Sequence, residues 1–196
     1  MYTVVGSVKT RAFRVVWLLE ELGQTYTHIA AGPRSAEAME HNPTGKVPAL
    51  IINDTVLTDS VAIMTYLADK HGQFSCPAGT LDRAQQDSLT HFVLDEFESL
   101  LWMASRHSFV LPPEHRLPAI KPSLHWEFAR SAQTLLHRLG DNNFLMGANI
   151  TVPDLLLTHC LTWAVAAKFP PIPPHLTAYV DRMKSRPAYI RAMAQH

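Results

Sequence analysis

The chain has 196 residues, 17 Lys+Arg against 17 Asp+Glu, and 47% hydrophobic residues. That length allows one large domain or two small ones, and the apolar content supports a packed core rather than disorder. Zero formal charge argues against a nucleic-acid partner, because phosphate contacts need an excess of Lys and Arg.

The predicted elements begin with a short buried strand at Tyr2–Val5, ended by Gly6-Ser7. From about Thr10 to Leu22 the apolar spacing turns helical: Ala12, Val15, Val16, Leu19 and Leu22 recur at i, i+3, i+4 and i+7. Phe13, Trp17 and Leu18 widen that surface, so the helix is expected to be covered on two sides. Gly23 suits its C-terminus. Thr25–Ile29 is rich in β-branched and aromatic residues and reads as a second strand. A β-α-β order implies a parallel pair with a right-handed crossover. Ser35 caps a short helix through Glu40. Ala49–Ile52 and Val56–Thr58, joined by Asn53-Asp54-Thr55, read as an antiparallel hairpin. Asp59-Ser60 offers an N-cap for a helix over Val61–Lys70.

Residues 72–81 carry Gly, Pro, Ser and Thr without periodicity and read as a linker. No strand pattern follows it. Leu81–His107 and Pro122–Leu139 are helical patterns separated by Pro112, Pro113 and Pro118. Thr151-Val152-Pro153-Asp154 resembles a capping box with Asp in place of the usual Glu, opening a helix to about Lys168. His175–Ser185 and Pro187–Ala194 are the last two. The expected fold is thus α/β plus all-α: a thioredoxin-like domain over 1–75 and a helical bundle over 82–196.

Two cysteines, Cys76 and Cys160, with no CxxC spacing, are too few for a disulfide scaffold or a thiolate zinc site. The 11 His are scattered without HExxH spacing, so no metal is expected. No run of 18 apolar residues predicts a membrane span. The start MYTVVGSVKTR has neither the basic opening nor the apolar stretch of a secretion signal. A reducing, cytoplasmic setting is therefore expected.

Three segments together carry a resemblance. Asn42-Pro43-Thr44-Gly45-Lys46-Val47-Pro48-Ala49-Leu50, then Leu57-Thr58-Asp59-Ser60-Val61-Ala62-Ile63, then Tyr66-Leu67-Ala68 resemble the glutathione S-transferase superfamily in order and spacing. The opening, Gly6 to Val15, is similar to bacterial-type members, and the Thr151–Asp154 box to a motif of the family's helical domain. The resemblance implies a cytoplasmic homodimer, active in detoxification, with glutathione as cosubstrate and a small electrophile as the second substrate. It implies no metal or tightly bound cofactor; the zero net charge and the lack of a long apolar run give no expectation of a nucleic-acid or membrane partner.

It also assigns residues. Asp59 and Ser60 would bind the γ-glutamyl end at a helix N-terminus, where amides and the helix dipole favour an anion. Asp departs from the family's usual Glu and shortens the reach by one methylene. Val47, before a proline that the family holds cis, would offer its backbone to the cysteinyl part. Lys46 would add charge for a carboxylate, and Arg34 could reach the glycine end. The thiol needs activation, since a free thiol of pKa about 8.5 is only a few per cent thiolate at neutral pH. Thr10 is the expected donor and Ser7 the second; the family's more common serine position is Lys9 here. Activation by the helix dipole or by Lys9, with Thr10 only a cap, is the alternative at this point. No cysteine lies in residues 1–75, which disfavours mixed-disulfide chemistry through a protein thiol. Trp102, Met103 and Phe109 could wall an apolar pocket. A glutathione-dependent reductase, peroxidase or isomerase would share these motifs, as would a non-catalytic binding protein of the same fold.

Overall fold

The computed structural model describes residues 1–195. They form two compact units: Met1–Pro77 together with the C-terminal stretch from Met183, and Ala78–Arg182.

In the first unit four strands, β1 (Tyr2–Val5), β2 (Tyr26–Ile29), β3 (Ala49–Ile52) and β4 (Thr55–Thr58), make one sheet in the order β2-β1-β3-β4. β1 and β2 run parallel, as two strands joined by a helical crossover must, while β3 pairs antiparallel with both β1 and β4. The register sets Val5 opposite Ala49 and Val4 opposite Leu50. These central residues are buried, whereas edge strand β4 is largely exposed. A two-residue turn closes the hairpin with Asn53 at φ 52°, a conformation that asparagine tolerates.

Three helices of this part follow: α1 (Ala12–Glu21), α2 (Ala36–His41) and α3 (Ser60–His71). α1 buries every residue from Ala12 to Leu19, so it is covered on both sides as its sequence predicts. It starts two residues later than its periodicity suggests, because Val8–Arg11 form a turn in which Thr10 N–H donates to the Ser7 carbonyl at 2.9 Å. Ser35 caps α2 by accepting from Ala38 N–H at 3.2 Å. Gly72 ends α3 at φ 63°, the left-handed conformation that a C-terminal glycine supplies.

The second unit contains α4 (Leu81–Val93), α5 (Ser99–Ser105), α6 (Lys121–Leu139), α7 (Val152–Ala166) and all but the last two residues of α8 (Pro174–Lys184). α4 and α5 belong to one helical run over residues 81–110, interrupted by π turns at Leu94–Glu98 and Arg106–Val110. Periodicity alone does not register such turns. Phe97, Phe128 and Phe169 stack edge to face through its core, with centroids 5.3 and 5.1 Å apart. Cys160 is fully buried in this core. Trp102 and Met103 are half-buried and Phe109 is exposed. No helix among the described residues is long and apolar enough to cross a membrane.

The last helix, α9 (Pro187–Met193), continues the helical part of the sequence but packs on α1. Tyr189 meets Phe13 and Trp17 edge to face, both at 5.0 Å. Arg186 pairs in bidentate fashion with Glu21 at 2.6 and 2.8 Å. Arg191 pairs with Glu20 at 2.6 Å.

Candidate functional site

Three loops of the first unit bring most of the expected site residues to the ends of β1, β3 and β4. The first joins β1 to α1. Gly6 and Ser7 donate their N–H groups to the carbonyls of Ile29 and Ala31, both at 2.8 Å, which fixes this loop beside the end of β2. Gly6 sits at φ 138°, and a Cβ there would lie 2.7 Å from the Cβ of Ala12 and 2.9 Å from that of Val47. Only glycine lets this loop approach the loop that carries Val47.

Within that loop the two expected donors differ. Thr10 donates its hydroxyl proton to the Ser7 carbonyl at 2.6 Å and accepts from Ala12 N–H at 3.2 Å. Ser7 Oγ accepts from Lys9 N–H at 3.2 Å, and no protein acceptor takes its proton among the described residues. Lys9 is exposed.

The second loop precedes β3. Asn42 organises it: Oδ1 accepts from the N–H and hydroxyl of Thr44, and Nδ2 donates to the Lys46 carbonyl at 2.9 Å. Arg34 N–H donates to the Gly45 carbonyl at 2.8 Å, so Arg34 is anchored beside this loop. The Val47–Pro48 peptide is cis. Pro48 is buried, Val47 half-buried and Lys46 exposed. Among the described residues neither backbone polar group of Val47 has a backbone partner.

The third feature is the start of α3. Asp59 is its N-cap: Oδ1 accepts from the N–H groups of Val61 and Ala62 at 2.9 and 3.0 Å. Its backbone lies at φ 70° and ψ 121°. A non-glycine residue there costs on the order of 1–3 kcal/mol, and such positions cluster at ligand clamps. Asp59 O accepts from Ile63 N–H at 3.0 Å. The capping bonds leave Ser60, 3% exposed, with its N–H and its hydroxyl proton without a protein acceptor among the described residues. Ser60 Oγ does accept a bond, from Arg14 Nη1 at 3.1 Å.

Sequence reasoning passed over Arg14. It is 0% exposed, and its signal is a single cation inside the otherwise apolar run Ala12–Leu19. A charge placed there must meet a buried partner.

The arrangement provides two donors for a carboxylate at Ser60, a carboxylate oxygen for a cation at Asp59, and an open backbone pair at Val47. Ser7 adds a hydroxyl proton. No group of three or more His, Cys, Asp or Glu suited to a metal ion occurs among the described residues.

Comparison with known proteins identifies the family. Residues 10–70 match the glutathione S-transferase N-terminal domain and residues 103–187 the C-terminal domain. Glutathione S-transferase GstA of Escherichia coli O157:H7 is 31% identical over 150 residues, covering 74% of this chain and 71% of that protein. The crystal structure of a glutathione transferase from Methylococcus capsulatus str. Bath superposes with a TM-score of 0.82 at 25% identity, covering 99% of this chain and 98% of that one. The glutathione transferase URE2P8 from Phanerochaete chrysosporium, solved with oxidized glutathione, shares the fold with a TM-score of 0.83 at 22% identity, covering 99% and 94%. With both of its domains matched and a relative of this similarity, the chain belongs to the glutathione S-transferase family.

Proposed function

We propose that the protein is a cytoplasmic glutathione S-transferase that binds glutathione at the loops of its first unit and delivers the thiolate to a small electrophile, as a homodimeric detoxification enzyme. The observation that carries this reading is the start of α3. A buried serine with two uncommitted donors stands at a helix N-terminus, beside an aspartate whose Oδ1 is used in capping. Ser60 receives the γ-glutamyl carboxylate, and Asp59 Oδ2 faces the ammonium. The peptide of the cysteinyl residue pairs with the N–H and C=O of Val47. Lys46 and Arg34 attract the glycine carboxylate.

The thiol then lies near the β1–α1 loop. A hydroxyl donor and the amides opening α1 stabilise the thiolate and release its proton to solvent. Of the two expected donors, Ser7 has the proton to give, while that of Thr10 is spent on the Ser7 carbonyl. The sulfur lone pair forms the new bond to the electrophilic carbon. The leaving group departs with its bonding pair, or the pair of an activated double bond moves to the neighbouring atom and is protonated by water.

Reductive chemistry is the second reading. With no cysteine in residues 1–75, a disulfide or peroxide substrate would be reduced by two glutathione molecules, which leave as glutathione disulfide. The thiolate absorbance of bound glutathione, followed across pH, tests the proposal. The expected titration lies about two units below the free thiol, a preference of about 2.7 kcal/mol for the anion. Titration at the free-thiol value overturns thiol activation. A panel of electrophiles and peroxides then separates the two readings.

A further inference from the structure

We infer that Arg14 is a positioning residue for the γ-glutamyl carboxylate, acting through Ser60. This rests on the proposed placement of that carboxylate at Ser60.

The argument starts from burial. Arg14 sits inside α1 with no exposed surface, and its Nη1–H reaches Ser60 Oγ at 3.1 Å across the packing of α1 on α3. A serine oxygen that accepts from a guanidinium cannot donate back to it, because the guanidinium has no acceptor. The hydroxyl proton of Ser60 therefore turns elsewhere. The adjacent amides of Val61 and Ala62 are donors already bound to Asp59. Among the described residues no protein acceptor takes that proton, which leaves it for a ligand at the start of the helix, where an anion is favoured.

Arg14 thus does three things at once. It orients the Ser60 proton toward the ligand, and it polarises that hydroxyl, since hydrogen bonds in a chain strengthen one another at low dielectric. It also places a positive charge one hydroxyl away from the bound carboxylate, within the several-ångström range over which opposite charges matter.

Binding measured by calorimetry tests this with two probes. One is glutathione. The other is 4-aminobutyryl-cysteinylglycine, which keeps the amine, the thiol and the glycine but lacks the γ-glutamyl carboxylate. The wild-type protein is expected to prefer glutathione by about ten- to hundredfold, the range for a charge-assisted hydrogen bond. In Arg14→Met that preference should collapse to within about threefold, with the affinity for the analogue little changed. A purely structural role would weaken both probes alike and preserve the ratio.

Should Arg14→Met fail to fold, Arg14→Gln and Arg14→Lys decide. Lysine keeps the charge and should retain most of the preference. Glutamine can still donate to Ser60 but lacks charge and should lose most of it. A preference that survives in both the Met and Gln variants, or in Gln alone if Met does not fold, overturns the inference while leaving Ser60 in its role. A wild-type protein that does not discriminate the probes overturns the Ser60 placement itself, and this inference with it.

Discussion

Thr10 and Ser7 lie in one turn, yet their hydroxyls are placed for different work. Thr10 is bonded on both sides, donating to Ser7 O and accepting from Ala12 N–H, so it acts as a local brace for the start of α1. Ser7 only accepts, from Lys9 N–H. Ser7→Ala should therefore lower kcat about a hundredfold, the usual effect of removing one donor to a reacting anion, and move the bound thiol's titration upward. Thr10→Val should cost about 1 kcal/mol of stability, as lost caps do, with kcat within roughly threefold of wild type. Steady-state conjugation rates and thermal melts on both variants check this; the opposite ranking of kcat would make Thr10 the donor. Sequence alone cannot make this distinction. Both residues are small hydroxyls before a helix, and only the hydrogen-bond directions separate them. Asp59 and Ser60 were more legible, because an Asp-Ser pair opening an apolar helix is a cap by residue type. Arg14 was least legible: Ser60, to which it donates, lies 46 residues away, beyond any local pattern.

At the scale of elements, periodicity and capping residues located nearly every helix and strand. The exceptions are instructive. The π turns in residues 81–110 each add one residue to a turn without breaking the helical alternation of apolar and polar residues. The Thr151–Asp154 box was legible as a cap, but not as the centre of a buried network. Asp154 is fully buried and accepts four bonds: Thr151 N–H and Leu145 N–H at 2.8 Å, the Thr151 hydroxyl at 2.9 Å, and the Tyr179 hydroxyl at 2.7 Å. It thereby ties the start of α7 to the segment before it and to α8. Asp154→Ala leaves several buried donors without acceptors, each costing about 1–3 kcal/mol. A total loss of about 3–5 kcal/mol is expected, or a Tm lower by roughly 10 °C for a chain of this size. Tyr179→Phe removes one donor and should cost about 1 kcal/mol. Calorimetric melts measure both, and an Asp154→Ala loss under about 1 kcal/mol would show that the network does not hold the unit together.

For the whole molecule, the consequential feature is that the chain returns to its first unit. α9 covers the outer side of α1 with Tyr189, and Arg186 and Arg191 pair with Glu21 and Glu20. α1 also carries Arg14 and opens at the β1–α1 loop, so the end of the chain supports the helix on which the proposed site depends. Truncation after Lys184 should expose Trp17, which is fully buried, shift its fluorescence to longer wavelength, and weaken glutathione binding although every residue proposed to touch glutathione remains. The same clamp has a signature in pH. Glu20 Oε1 also accepts from the Tyr26 hydroxyl at 2.8 Å. Burial, and then the neighbouring carboxylate, push that hydroxyl far above its ordinary value of 10.0. Between the unfolded and folded values the native state holds a proton that the unfolded chain has released, so stability falls as pH rises above about 10. Tyr26→Phe has no proton to lose there. The stability advantage of wild type over Tyr26→Phe should be full below pH 10 and shrink steadily above it; denaturant melts across that range read the difference, and an advantage independent of pH would show that Tyr26 is not held neutral by this clamp.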